Sequence, residues 1–357
     1  MSKQNAGPTP SVSQANQPGK PNQTEPRGSD FNSIKSQDHP DSNWNQSVSG
    51  ISQADPFCCR TEWQLSFHEA MEPNRRLIYR ETPGSAVVFA EQSGSYPGPL
   101  LVPVESNWMF GCPLLGPDAV DLLDDVLGQI ESGSTTRRAP PAFVISGLRP
   151  RGTPLRQITT KFRSRFNLQS AGSSVLCSAS LAGGLDGYLS RRSSSHRRGL
   201  QKQARRAAKS GIVFERHAPA NKAEAEAIYG RMLAVEASSW KGIGKCGMTI
   251  QPSRDYYACM LRRLAVSGNS RVIFACHGKR DIGFIFGGLA GKVYRGQQFS
   301  YADDWENASI GNLLQIEQIR WLCEEGATRY DMGPLMDYKR HWTEKRTAIE
   351  TRILKRS

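Results

Sequence analysis

Hydrophobic and polar positions follow a strand-like pattern over the first patterned part of the chain, from about residue 63 to residue 162. Short apolar runs rich in β-branched or aromatic residues predict strands there. In one stretch the apolar residues recur at helical spacing instead, so 117–130 is predicted as an amphipathic helix. The predicted strands are 77–80, 86–91, 100–104, 108–110 and 142–148.

The second patterned part is more regular, and a Ser/Gly-rich passage at 169–187 is the predicted boundary before it. It opens with a basic helix, and three of its strands are joined by short hairpin turns. The elements predicted after that helix are a strand at 212–216, helices at 221–239 and 255–266, strands at 271–276, 282–289 and 293–301, a helix at 310–325, and strands at 329–332 and 348–354, with a polar loop at 333–345 between the last two.

Composition changes at the N-terminus. Residues 1–55 are mostly Ser, Gln, Asn, Pro, Gly and Asp, with four basic and five acidic side chains, and this composition predicts a disordered tail. The net charge of the chain is +13, so the basic excess belongs to the part that folds. The predicted organisation is a tail at 1–55, an N-terminal half at 56–170 and a C-terminal domain at 186–357.

The chain shows no signal-peptide pattern and no apolar window long enough to span a bilayer, so a cytoplasmic protein without a membrane span is expected. The eight cysteines are scattered, without a C-x-x-C pair, and are expected to be reduced. The six histidines lack zinc-site spacing. We therefore expect no metal.

The basic helix carries an unusual concentration of charge. Arg198, Lys202, Arg205 and Lys209 recur along one stripe, and residues 187–210 hold eight Lys or Arg and no acid. A solvated face or a nonspecific contact with nucleic acid is one interpretation. The other interpretation is that this helix binds an acceptor substrate or a tRNA.

The order of elements, two helices, three antiparallel strands, a helix and two more strands, resembles the core of the GNAT acyltransferases. Local motifs strengthen the resemblance: the basic helix with its preceding serines, Ser-Trp-Lys at 239–241, Tyr-Ala-Asp at 301–303, Ser-Ile-Gly at 309–311, and Tyr-Asp-Met-Gly at 330–333 followed by Tyr-Lys at 338–339. The chain is most similar to the CelD/BcsL-like branch, which is related to the Fem aminoacyltransferases. That resemblance implies an α/β (α+β) fold with a mixed, mostly antiparallel sheet flanked by helices, and a degenerate GNAT-like fold in the N-terminal half.

The resemblance also implies a place for the acyl carrier. In the GNAT fold the pyrophosphate of acyl-CoA lies on the N-terminus of the helix after the three strands, where free N–H groups and the helix dipole favour anions. The usual GNAT pattern at this place differs here, with Ala308 and Leu313 at two of its positions, so aminoacyl-tRNA, the carrier of Fem-type relatives, stays an alternative. The predicted carrier-binding residues are Ser309, Ile310, Gly311, Asn312 and Leu313.

Transfer of an acyl group to an amine needs an oriented amine, a base and a donor to the oxyanion. Asp303 is the predicted base, and Tyr301 and Tyr338 are candidate acids that return a proton to the leaving thiolate. The predicted substrate-binding residues are Trp240, Lys339, Arg340 and Arg198.

A purely structural role also explains several of these residues. Trp240 is also explained as a core or pocket-wall residue, and Asp303 as a turn cap. Ser309 and its neighbours are also explained as an ordinary helix start.

Three functions are therefore expected from the sequence. The first is an N-acyltransferase that moves an acyl group from acyl-CoA to an amine on a small molecule or saccharide. The second is a Fem-like transferase that uses aminoacyl-tRNA. The third is a binding module without catalytic activity in polysaccharide or envelope biosynthesis.

Overall fold

The computed structural model describes residues 43–49, 53–93, 100–132 and 140–357. Within these ranges, twelve strands form one sheet and ten α-helices flank it. The strands are β1 (Leu77–Thr82), β2 (Ser85–Gln92), β3 (Leu100–Val102), β4 (Leu114–Leu115), β5 (Ala142–Leu148), β6 (Phe166–Ser180), β7 (Ile212–His217), β8 (Ser270–His277), β9 (Arg280–Ala290), β10 (Val293–Tyr301), β11 (Arg329–Pro334) and β12 (Lys345–Arg356).

The helices pack on both faces of the sheet, and short 3-10 turns at Gly247–Thr249, Asp303–Ala308 and Asp337–His341 connect some of them to strands. The α-helices are α1 (Asn43–Ser49), α2 (Thr61–Met71), α3 (Ala119–Glu131), α4 (Thr153–Phe162), α5 (Gly184–Ser190), α6 (Ser194–Lys209), α7 (Lys222–Ala237), α8 (Trp240–Ile243), α9 (Ser253–Val266) and α10 (Ile310–Glu324).

The predicted fold class, a mixed and mostly antiparallel sheet flanked by helices, is confirmed. The strands follow the order β1-β2-β3-β5-β12-β6-β11-β10-β9-β8-β7, and β4 pairs with β2 at one side. Only the β3–β5 and β10–β11 pairs are parallel among the described strand pairs. The last strand, β12, lies between β5 and β6 and is antiparallel to both, so the end of the chain completes the sheet of the N-terminal half.

Most predicted elements of the second half are present with shifts of one to three residues at their ends. In the first half, the predicted strand at 108–110 is absent and a short β4 follows it instead. The sequence pattern also missed α2, whose buried face includes Trp63 and Phe67. The Ser/Gly-rich passage predicted as a boundary forms most of β6. Backbone hydrogen bonds to the neighbouring strands β11 and β12 hold β6 in the sheet.

The predicted disordered tail, 1–55, falls mostly outside the described residues. Its described parts belong to the fold. Trp44 of α1 is 1% exposed, and its ring stacks on Tyr79 at 5.8 Å. Asp55 is buried against Arg295 of β10. The structure therefore differs from the prediction in these two segments, because isolated apolar or charged residues in a polar stretch gave no periodic signal.

Candidate active site

The candidate site is the cleft where β10 and β11 separate. The two strands pair through Val293, Tyr294 and Arg295, and the last of these lies opposite Asp331. Beyond that point β10 continues along β9 as far as Tyr301, while β11 stays with β6. Two parallel strands that diverge expose unpaired backbone groups between them, and such groups are ready to bind a ligand.

A buried carboxylate lies on one wall of this cleft. Glu236, at the end of α7, has no exposed surface. Its side chain accepts hydrogen bonds from the Ser300 hydroxyl of β10 and from the Met248 amide at 3.1 Å. The ammonium of Lys241 lies 3.8 Å from it. The carboxylate therefore contacts the strand that carries the cleft.

Lys241 connects that wall to the backbone of β10. Its Nζ donates to the Phe299 carbonyl at 2.9 Å and to Gln298 Oε1 at 3.0 Å. Burial lowers the pKa of Lys241, and the charge of Glu236 opposes that shift. Because two hydrogen-bond acceptors and the nearby carboxylate of Glu236 hold the ammonium, it places one positive charge at a defined position beside the cleft.

A β-bulge occurs in β10 at the same level. The register with β9 shifts between Gly296 and Gln298, so Gln297 has no partner residue in the ladder of described strands. The side-chain Nε2 of Gln297 is also buried without a hydrogen-bond acceptor. Unused N–H donors in a buried position are suited to stabilise an oxyanion.

A charge cluster closes the inner end of the cleft. Arg295 is 4% exposed, and its Nε donates to Asp55 at 2.9 Å. Asp331 lies beside this pair, and burial, reinforced by the charge of Asp55, raises the pKa of Asp331 to about 6. Gly333 has a φ of +73°, and a Cβ added there would overlap the guanidinium of Arg295. The cluster therefore fixes the point at which the strands separate.

The predicted carrier site, the first turn of α10, borders the cleft. Phe299 and Tyr301 pack against Gly311, so one side of the turn is covered by aromatic rings. Ile310 and Leu313 are buried in the core, whereas Asn312 is exposed. Ser309 has a left-handed φ of 60° and makes no side-chain cap.

Some amides of this turn are free. The amides of Asn312 and Leu313 donate to the Ser309 carbonyl. Those of Ile310 and Gly311 have no acceptor among the described residues. Ile310 has no exposed surface, so only the free amide of Gly311 lies on a partly open side of the turn.

The predicted catalytic residues are not all in one place. Asp303 is exposed at the start of the 3-10 turn after β10, and its amide bonds to Ser238. Tyr301 is half-buried on the α10 side, and burial raises its pKa, with a further contribution from Glu306. Tyr338 lies at the open end of the cleft, with its ring 6.0 Å from that of Phe299 and with its pKa raised by burial to about 12.

Three of the four predicted substrate-binding residues lie near the opening: Trp240, Lys339 and Arg340. Trp240 is exposed at the start of α8. Lys339 is buried and donates to the Pro334 carbonyl at 2.8 Å, and burial lowers its pKa to about 8. Arg340 is exposed and pairs with Asp337 at 3.2 Å. Arg198 lies exposed on α6, away from the buried polar groups of the cleft.

Four residues of the cleft were not predicted from the sequence: Glu236, Arg295, Asp55 and Gln297. Glu236 precedes the Ser-Trp-Lys motif by three residues, so that motif was the available signal for it. The other three give no local signal. The bulge in β10 and the ion pair between Arg295 and Asp55, 240 residues apart, arise only when the strands and the segment that carries Asp55 come together.

No group of three or more His, Cys, Asp or Glu side chains in the described part of the chain is arranged to hold a metal ion. In the same residues, no helix has both the length and the apolar character needed to cross a bilayer.

Comparison with known proteins identifies the class. Residues 194–340 match the family described as acetyltransferase (GNAT) domain. No curated protein sequence matches the chain. The matched residues include α6, α7, the strands β7–β11 and α10, and therefore both walls of the cleft. Residues 194–340 therefore form a GNAT acetyltransferase domain.

Three solved structures share the fold of most of the chain. FemX has a TM-score of 0.62 at 11% identity, covering 89% of this chain and 96% of FemX. A conserved protein of unknown function from Bacteroides thetaiotaomicron has a TM-score of 0.58 at 8% identity, covering 92% of this chain and 99% of its own. The C-terminal domain of a putative lysylphosphatidylglycerol synthetase from Agrobacterium fabrum has a TM-score of 0.53 at 10% identity, covering 87% and 90%.

Proposed function

We propose that this acyltransferase moves an acyl group from acyl-CoA to a primary amine inside the cleft between β10 and β11. The separation of the two strands after Arg295 supports this proposal most directly, because it opens a path beside the unpaired donors of Gln297. The free amide of Gly311, in the first turn of a helix of fifteen residues, suits the pyrophosphate of the carrier.

The reaction we propose is a direct transfer. The amine nitrogen attacks the thioester carbonyl carbon, a C–N bond forms and the C–S bond breaks. The unpaired N–H donors of Gln297 stabilise the oxyanion. Glu236 accepts the proton of the amine through Ser300, whose hydroxyl already donates to it. The thiolate takes a proton from Tyr338 at the open end of the cleft.

We prefer Glu236 to Asp303 as the base because of their surroundings. Glu236 is buried and is connected to β10 through Ser300, whereas Asp303 is exposed to solvent beside the cleft. A base that works inside a water-excluded site needs the first kind of environment. Tyr301 stays an alternative acid on the α10 side.

The donor is tested directly by isothermal titration and thermal shift with acetyl-, malonyl- and long-chain acyl-CoA. Binding to the native state raises the free energy of unfolding by RT ln(1 + [L]/Kd), so saturating ligand is expected to raise the melting temperature clearly. Absence of binding for every CoA ester would reject the CoA donor. Aminoacyl-tRNA would then be tested next, since α6 offers cations near α10 for an RNA backbone.

The base is tested by comparing two isosteric variants. Glu236→Gln is expected to lower kcat at least about 100-fold, with little change in the affinity for acyl-CoA, because general-base catalysis contributes about that much. Asp303→Asn is expected to stay within about threefold of wild type, which is less than a general base contributes. The measurement is release of the CoA thiol in the presence of a panel of primary amines. The opposite ranking would return the role of base to Asp303.

A further inference from the structure

Exposed apolar side chains are concentrated at the open end of the cleft. Ten large hydrophobic side chains are exposed among the described residues, and seven of them lie on two connecting segments, 240–250 and 335–338, and at one adjacent strand position. Single exposed hydrophobic residues are normal on a protein surface, but a cluster marks an interaction site. We call these seven residues the apolar rim: Trp240, Ile243, Ile250, Val175, Leu335, Met336 and Tyr338.

The two connecting segments of the apolar rim, 240–250 and 335–338, belong to one surface. Lys241, next to Trp240, donates to the carbonyl of Phe299 at 2.9 Å. The ring of Phe299 lies 6.0 Å from that of Tyr338, which is on the other segment. On the far side, the amide of Leu335 donates to Val175 at 2.9 Å. The rim therefore surrounds the mouth of the cleft and is continuous with it.

Helix α6 extends this surface with positive charge. Its N-terminal turn packs on the loop that follows Tyr338, since the ring of His196 lies 5.0 Å from that of Trp342. Its middle reaches α10, where Gln203 accepts a hydrogen bond from Asn312 at 3.4 Å. Six cationic side chains of this helix are exposed and have no ion-pair partner in the described part of the chain: Arg197, Arg198, Lys202, Arg205, Arg206 and Lys209.

The shape and chemistry of this face favour one occupant. Ile243, at the end of the short helix α8, and Met336, just before the 3-10 turn Asp337–His341, are 64% and 53% exposed, so they protrude and do not line a groove. Protruding apolar residues, an interfacial Trp and Tyr, and adjacent unpaired cations form the combination that binds an anionic bilayer surface. A nucleic acid would account for the charge of α6 but would leave the apolar tips in water.

We propose that the apolar rim and α6 dock together on an anionic membrane surface, with Ile243 and Met336 inserted among the lipids, the rest of the rim facing the bilayer and α6 against the headgroups. The cleft then opens towards the bilayer. This inference goes beyond the proposed function and does not depend on which donor the cleft binds.

The electrostatic part is tested by cosedimentation of the full chain with vesicles. We expect binding to phosphatidylcholine vesicles with about one-third phosphatidylglycerol, and little binding to pure phosphatidylcholine. Binding is expected to weaken between about 0.1 M and about 0.5 M KCl because salt screens the attraction. The triple variant Arg198→Glu, Lys202→Glu, Arg205→Glu is expected to bind at least about 100-fold more weakly, since each cation near the surface contributes about fivefold.

A matched charge control comes from three exposed lysines outside α6. The triple variant Lys222→Glu, Lys279→Glu, Lys292→Glu changes the net charge by the same amount and is expected to keep most of the binding. Equal losses in the two triple variants would show that only the net charge matters. That result would overturn the assignment of α6 as the docking helix.

The apolar part has its own matched pair. Ile243→Ser combined with Met336→Ser is expected to weaken vesicle binding at least about tenfold, because those side chains leave the lipid. Val266→Ser is expected to change nothing, although Val266 is 52% exposed, because it lies at the end of α9 outside the rim. Thermal unfolding of each variant checks that the fold is intact.

Two results would overturn the proposal. One is wild-type protein that does not sediment with anionic vesicles. The other is RNA binding that the triple variant of α6 abolishes, together with vesicle binding that the Ile243 and Met336 variant leaves unchanged, which would assign α6 to a nucleic acid. Titration of acyl-CoA without vesicles keeps this test separate from the proposed function, because each can fail while the other succeeds.

Discussion

Replacement of Gly333 by Ala tests the charge cluster at the inner end of the cleft. The new Cβ would overlap the guanidinium of Arg295, which is the end of a flexible side chain but is held by Asp55 and stacked near Phe110. Moving it would leave Asp55 as an unpaired buried charge, which costs about 3–5 kcal/mol. Alanine at a φ of +73° adds about 1 kcal/mol.

The expected loss of stability for Gly333→Ala is therefore about 4–6 kcal/mol, or roughly 5–10 °C in Tm for a chain of this size. Urea unfolding followed by circular dichroism measures it. Gly326→Ala is the matched control, because Gly326 has a φ of +74° and no atom within 4 Å of an added Cβ. It is expected to lose only about 1 kcal/mol. Similar losses for the two variants would refute the idea that Arg295 is held rigidly.

Two further outcomes are expected. Burial raises the pKa of Asp331 from 3.8 to about 6, so the stabilisation from its protonated form is complete below about pH 4 and is lost as the pH rises through 6. Urea unfolding should show that the free energy of unfolding of wild type falls by about 3 kcal/mol relative to that of Asp331→Asn over that pH range. Parallel pH profiles of the two free energies would contradict the prediction. A chain of residues 186–357 is expected not to unfold cooperatively, because in it β12 lacks both β5 and β6 and β11 lacks β6. A chain of residues 43–357 is expected to unfold cooperatively. Cooperative melting of the shorter chain would refute this.

The sequence predicted the second half well because its elements carry strong, separate signals. Strand β10 was predicted with its observed bounds, and α10 began at the predicted Ile310, since hairpin turns and a helical apolar stripe mark them. Strand β6 was missed for a physical reason. Its Ser and Gly side chains give no hydrophobic alternation, and it is held by backbone hydrogen bonds to neighbours distant in sequence.

The candidate site was predicted in part for a similar reason. Trp240, Lys339 and Tyr338 lie around the cleft and carried local motifs. Gln297 and Asp55 acquire their roles only through pairing. The bulge depends on the register between β10 and β9. The hydrogen bond from Arg295 to Asp55 depends on where the segment before α2 packs against the sheet.

Both halves of the chain contribute to one cleft. The family match begins at residue 194 and ends at residue 340, so it leaves out Asp55, β6 and β12. Yet β6 is the neighbour that draws β11 away from β10, and Asp55 holds Arg295 at the point of separation. The similarity to FemX covers 89% of the chain and extends well beyond the matched domain. The N-terminal half is therefore part of the structure that opens the cleft, because without it neither the splayed strand nor the buried guanidinium would have its partner.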